Sequence, residues 1–121
     1  MHGTVIAVLP MRKFVEIRSY NIESGTRAEF HRLMTQQARP LLKKWAVDVI
    51  ACGPSPHDEC SYYLIRGYDS LDERIRSQDA FYAGTEWREG PREAILALIE
   101  NSASIVIAMD QSMIAALRDG G

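Results

Sequence analysis

The stretch Phe14–Ile22, reading FVEIRSYNI, decides how the rest of the chain is read. Side chains along an extended strand alternate between two faces, so Val15, Ile17 and Ser19 point one way and Glu16, Arg18 and Tyr20 the other. This predicts a strand with one apolar face and one that is polar but aromatic. Downstream, Ser24-Gly25 turns the chain, and Thr26 followed three residues later by Glu29 predicts a capping box that opens a helix. Phe30, Leu33, Met34, Gln37, Leu41 and Trp45 recur at helical spacing, which predicts a helix to about Trp45 with one buried stripe. Pro40 should kink it, because its ring crowds the preceding turn and it has no N–H to donate.

Further on, residues 47–52 form a short apolar run, and the Gly- and Pro-rich residues 53–59 can only be a loop. Residues 60–68 then resume with the β-favouring Tyr62, Tyr63, Leu64 and Ile65, so the two runs predict a hairpin. Ser70 with Glu73 predicts a second capping box, and Leu71, Ile75, Gln78 and Tyr82 mark the inner face of a second helix. Residues 84–90 break this pattern. Pro91 sits where a first helical residue is favoured, which predicts a short helix to Glu100 with Ala94, Ile95, Leu98 and Ile99 inside and Asn101 as its stop. Residues 103–109 read as a last strand, apolar on both faces and therefore expected to be covered on both.

Strand, helix, strand, strand, helix, strand is the order of a ferredoxin-like α+β domain: a four-stranded antiparallel sheet with helices on one side. The opposite side then presents apolar side chains to water unless something packs there. A second copy of the chain is the simplest cover, because most soluble oligomers are symmetric dimers. The domain is placed at 14–110, with an N-terminal arm over 1–13 and a C-terminal tail over 111–121 that holds a helical turn around Met113 to Leu117.

The chain has 121 residues, 46% apolar and 25% charged, with a net charge of −2, which is the balance of one globular domain. No run of Lys or Arg offers a footprint for nucleic acid. The longest apolar run falls well short of the roughly 20 residues of a membrane span, and the first ten residues lack the basic leader of a signal peptide. Cys52 and Cys60 have neither CxxC spacing nor a nearby His pair, so free thiols and a cytoplasmic location are expected. Glycine-rich phosphate loops, nucleophile elbows and HExxH patterns are absent, and no metal or cofactor is expected.

Two segments stand out: Glu16-Ile17-Arg18-Ser19-Tyr20 leading to Gly25, and Tyr68-Asp69-Ser70-Leu71-Asp72-Glu73-Arg74 leading to Trp87. With Phe81-Tyr82 and Trp87-Arg88-x-Gly90-Pro91, they resemble the NIPSNAP family of dimeric α/β-barrel proteins over about residues 14 to 110. The resemblance implies a ferredoxin-like monomer whose sheet packs on its twin's sheet to close a barrel. It implies little chemistry, since related barrels include cofactor-free monooxygenases, heme-handling enzymes and plain binding proteins.

A site is expected in a pocket between sheet and helices. Arg18, Tyr20, Arg66 and Tyr68 are candidates to gather around an anionic or phenolic ligand, or else to form a structural network in which Glu16 neutralises a guanidinium. His31 lies beside the helical stripe, either as a general base at a pocket edge or as a solvated surface histidine. Trp87 either lids the pocket or plugs one end of the core. His57, next to Asp58 and Glu59, lacks the second ligand pair that a metal site needs. The leading expectation is a homodimer that binds a small apolar or aromatic metabolite. One alternative is a cofactor-independent monooxygenase or isomerase in which Tyr68, His31 or Arg66 positions a phenolic substrate. Another is a protein-interaction scaffold, which would hold no enclosed pocket.

Overall fold

The computed structural model describes residues 12–119. In chain order its elements are β1 (Phe14–Ile22), α1 (Arg27–Leu33), a π-helical turn (Met34–Ala38), α2 (Arg39–Lys44), β2 (Asp48–Pro54) and β3 (Ser61–Tyr68). There follow α3 (Leu71–Ala83), α4 (Thr85–Glu89), α5 (Arg92–Leu98), β4 (Ile99–Ala108) and α6 (Gln111–Leu117). Among the described residues the strands form one antiparallel sheet in the order β2-β3-β1-β4, the ferredoxin-like arrangement that the sequence predicts. None of the described helices is long and apolar enough to cross a membrane.

Between sheet and helices lies the main core, centred on Tyr20, Phe30, Tyr62, Leu64, Phe81 and Ile95. The helical segment from Arg27 to Lys44 is irregular ahead of Pro40, where a π-helical turn occupies Met34–Ala38. Pro40 cannot donate a hydrogen bond and its ring crowds the carbonyl four residues back, and the wider turn over Met34–Ala38 makes room. There the Arg39 N–H reaches back five residues to the Met34 carbonyl. That extra residue shifts the buried stripe, so Ala38 and Leu42 are buried and the expected Gln37 is exposed. The helix ends with the left-handed Ala46 (φ 58), whose N–H donates to the Lys43 carbonyl while that of Val47 donates to Leu42.

Several local expectations are corrected. Thr26 does not cap α1 with its side chain: its φ/ψ lie outside the β-region of a capping residue, its hydroxyl donates to the Glu23 carbonyl, and Glu29 pairs with Arg32. Ser70 does cap α3, accepting from the Glu73 N–H at 3.0 Å, while the Glu73 carboxylate accepts from the Asp69 N–H. Leu71 and Ile75 are 51% and 54% exposed, because α3 is rotated to turn Arg74, Gln78 and Phe81 inward. The short helix stops at Leu98, since Ile99 is already extended and pairs with Ile22. Cys52 and Cys60 are free, as expected, and Cys52 stands opposite Leu64.

On the sheet's other face, Val15, Ile50, Ala51, Ile65 and Ile114 form a second cluster. Ile114 comes from α6, which Asp110 caps by accepting from the Met113 N–H, so part of the expected tail roofs β2. Asp119 extends this attachment by accepting from both Arg39 η-nitrogens and from the Cys52 N–H. Coverage stops there. As the outer strand, β4 is largely exposed in the single chain, and Ile105 is 60% exposed opposite Ile17. The expected arm lies almost wholly outside the described residues; at its end Arg12 pairs with Asp48 and Asp69, and Lys13 ties its N–H to the Tyr68 carbonyl and its carbonyl to the Met109 N–H.

Candidate functional site

Glu16 on β1 and Arg66 on β3 stand directly opposite each other on the helix-covered face, and both are fully buried. Two buried opposite charges are stable only when each is paired and hydrogen-bonded. Here both are. Arg66 Nε donates to Glu16 Oε1 at 3.0 Å with Nη2 on the same oxygen, and Arg66 Nη1 donates to the Tyr82 hydroxyl at 2.8 Å. From α3, Arg74 Nε donates to Glu16 Oε2 at 2.8 Å, and Gln78 Nε2 donates both to Oε2 and to the Tyr68 hydroxyl, at 3.0 and 2.9 Å. Burial alone would raise the Glu16 pKa. The field of Arg66 and the hydrogen bonds from Gln78, Arg66 and Arg74 outweigh it and lower the carboxyl from its ordinary 4.5 to about 2. The knot is thus a closed ionic network with no lone pair of Glu16 left to offer a ligand.

Next to it the same face opens into a cavity of about 130 Å³ between β1, β3, β4 and the helices. Its floor is Arg18, Tyr20, Leu64 and Ser102, and its walls include Leu42, Phe81, Tyr82, Trp87, Ile95 and Leu96. Phe81, Tyr82 and Trp87 pack edge-on and tilted against one another with ring centroids 5.1 to 5.5 Å apart, forming an aromatic wall. Trp87 is held there by α4 and is buried. The Arg18 side chain keeps 23% of its surface, and its ion-pair contact among the described residues is Glu16 Oε2 at 3.9 Å, too far for a hydrogen bond. Burial first, then the neighbouring Tyr82, pushes the Tyr20 phenol up to about 12 against the opposing pull of Arg18 and Arg66. Tyr20 is therefore a neutral hydrogen-bond donor near pH 7.

The candidates predicted from sequence thus separate into three groups. Arg18, Tyr20 and Trp87 converge on the cavity. Arg66 and Tyr68 belong to the knot behind it. His31 is elsewhere, with Nδ1 2.6 Å from the Tyr62 hydroxyl, and Tyr62 lies four residues before Arg66 on β3, about 13 Å along the strand. Sequence reasoning missed Arg74 and the double role of Tyr82, which accepts from Arg66 on one side and walls the cavity on the other. A signal was present: a carboxylate pointing under a helix demands cations above it, and Arg74, Gln78 and Tyr82 recur at helical spacing there. Wider hollows at the surface are open to solvent. In one of them, of about 950 Å³ along β2, Arg12 and Arg118 already pair with Asp48, and Arg39 pairs with Asp119.

The fold is shared with solved structures. A NIPSNAP family protein from Agrobacterium tumefaciens strain C58 superposes with a TM-score of 0.75 at 20% identity, covering 88% of this chain and 93% of its own. An uncharacterized NIPSNAP domain protein from Burkholderia xenovorans gives 0.70 at 20% identity, covering 81% and 95%. A second A. tumefaciens NIPSNAP family protein, of unknown function, gives 0.73 at 19% identity, covering 82% and 89%. At such identities the likeness establishes the fold alone. No curated protein matches the chain. The NIPSNAP family profile matches residues 15–112, a span that contains the whole sheet from Val15 onward, the knot and the cavity, and the chain belongs to the NIPSNAP family.

Proposed function

We propose that this chain is a homodimeric binding protein that takes a small apolar or aromatic metabolite into the cavity between sheet and helices. The observation that carries this reading is the cavity itself: about 130 Å³, walled by Phe81, Tyr82 and Trp87, with Arg18 and Tyr20 on its floor. Ligand sites are typically apolar clefts with a few convergent polar groups. A pure scaffold has no use for such a space. Catalysis by Arg66 or Tyr68 is disfavoured, because their polar atoms are spent on Glu16, Tyr82 and Gln78. The dimer is supported by Ile105 and Ile107 on the open face of β4 and by Met113 and Leu117 on α6, all exposed in the single chain. A reducing, cytoplasmic setting agrees with the two free thiols.

Light scattering should return twice the 13.6 kDa chain mass. Ala38→Leu fills the cavity from the helix side, where Ala38 is buried. Thermal-shift screening against small aromatic and acyl compounds should find stabilising ligands for the wild type and none for this variant. A monomer with no responsive ligand, or a variant that responds as the wild type does, counts against the reading.

A further inference from the structure

Three features of the cavity narrow what it holds, granted the reading that it is a ligand site. The first is size. An apolar cavity of about 150 Å³ is filled by benzene, so a space of about 130 Å³ is matched in size by one ring rather than by two fused ones. The second is charge. Arg18 is the cation of the floor, and the Glu16 carboxylate nearest to it is already saturated by Arg66, Arg74 and Gln78. Arg66, the other guanidinium on this face, is neutralised inside the knot. The third is where the mouth lies. Arg18 retains solvent contact, Ser102 and Leu96 are exposed, and Ser102 stands opposite Tyr20 in the sheet register, so the polar groups sit together at the β4 side while the aromatic wall is deeper.

We infer that the cavity takes a single-ring aromatic carboxylate, with the ring against Phe81 and Trp87 and the carboxylate at the mouth on the Arg18 guanidinium, the Tyr20 hydroxyl and Ser102. A guanidinium offers a carboxylate two parallel N–H donors, which a neutral oxygen cannot match. A simple phenol is uncharged near pH 7, since its pKa is about 10. It would therefore leave Arg18 unpaired, and the acid is the better occupant. The protonated Tyr20 hydroxyl donates to the same anion.

The test uses benzoate, benzyl alcohol and 2-naphthoate on the full chain, followed by calorimetry and by the fluorescence of the tryptophans, one of which, Trp87, lines the cavity. Benzoate should bind about 10-fold or more tightly than benzyl alcohol, the margin expected of a charged hydrogen bond, and 2-naphthoate should not bind. Arg18→Gln should abolish that preference, bringing benzoate down to the affinity of benzyl alcohol, as the margin belongs to the charge. Arg18 is partly exposed, so the variant is expected to fold, and its unfolding midpoint verifies this. Equal affinity for acid and alcohol, or a preference that survives Arg18→Gln, overturns the carboxylate assignment and leaves the cavity a ligand site. Binding of 2-naphthoate overturns the one-ring limit. If neither benzoate nor benzyl alcohol binds, the carboxylate assignment falls, and the binding reading falls with it only where the wider thermal-shift screen also finds no ligand.

Discussion

Two arginines enter the same sheet face from neighbouring strands and meet opposite fates. Arg66 is sealed, with Glu16, Tyr82 and the α3 side chains around it saturated. Arg18, one strand away, borders the aromatic-walled cavity and reaches its nearest carboxylate only at 3.9 Å. Burial of a charge therefore does not by itself mark a functional site. A buried cation whose partners are complete holds the sheet to the helices, whereas a partly exposed one left incomplete beside a cavity can hold something else.

The largest expected effect tests the sealed side. Arg66→Met leaves Glu16 buried with fewer partners and should cost about 3–5 kcal/mol in urea unfolding. Removing both charges, as Glu16→Leu with Arg66→Met, should recover most of the loss, because no unpaired buried charge remains. A loss under about 1 kcal/mol for the single variant would place Arg66 in the same class as Arg18.

Acid probes the same knot more gently. The Glu16 carboxyl has its folded pKa lowered to about 2 from an ordinary 4.5, so its contribution is complete above pH 4.5 and disappears as pH falls toward 2. On the order of 3 kcal/mol should be lost across that window, and Glu16→Gln should flatten the dependence. If Arg18 were the main partner of Glu16, Arg18→Gln would flatten it too, and the expected result is that it does not.

The smallest effect lies in neither region and calibrates both. Ala46 holds a left-handed backbone at the end of α2, which costs a residue with a Cβ roughly 1 kcal/mol. Ala46→Gly should raise the unfolding free energy by about that amount, and it should leave the acid profile and any ligand response unchanged. A change in either would tie the helix end to the knot or to the cavity.

Much of the fold was legible from local pattern. Alternation along Phe14–Ile22 assigned Glu16, Arg18 and Tyr20 to one face, and turn residues such as Gly25 (φ 83) marked the breaks. Local rules failed wherever a distant partner outbid them. The π-turn before Pro40 moved the buried stripe by one residue, from Gln37 to Ala38, which no fixed period of 3.6 can anticipate. On α3 the apolar Leu71 and Ile75 lost the inner face to Arg74 and Gln78, because a buried carboxylate attracts a cation more strongly than one half-exposed aliphatic group is driven inside.

The sequence by itself determined the order of the elements, the two faces of β1 and the presence of cationic and phenolic groups under the helices, since each follows from spacing along a few residues. Only the tertiary structure decided which arginine is spare. Glu16 and Arg66 meet across 50 residues of chain, and α3 must come to rest at one rotation above them before a carboxylate can be claimed by three donors and leave Arg18 beside an open space.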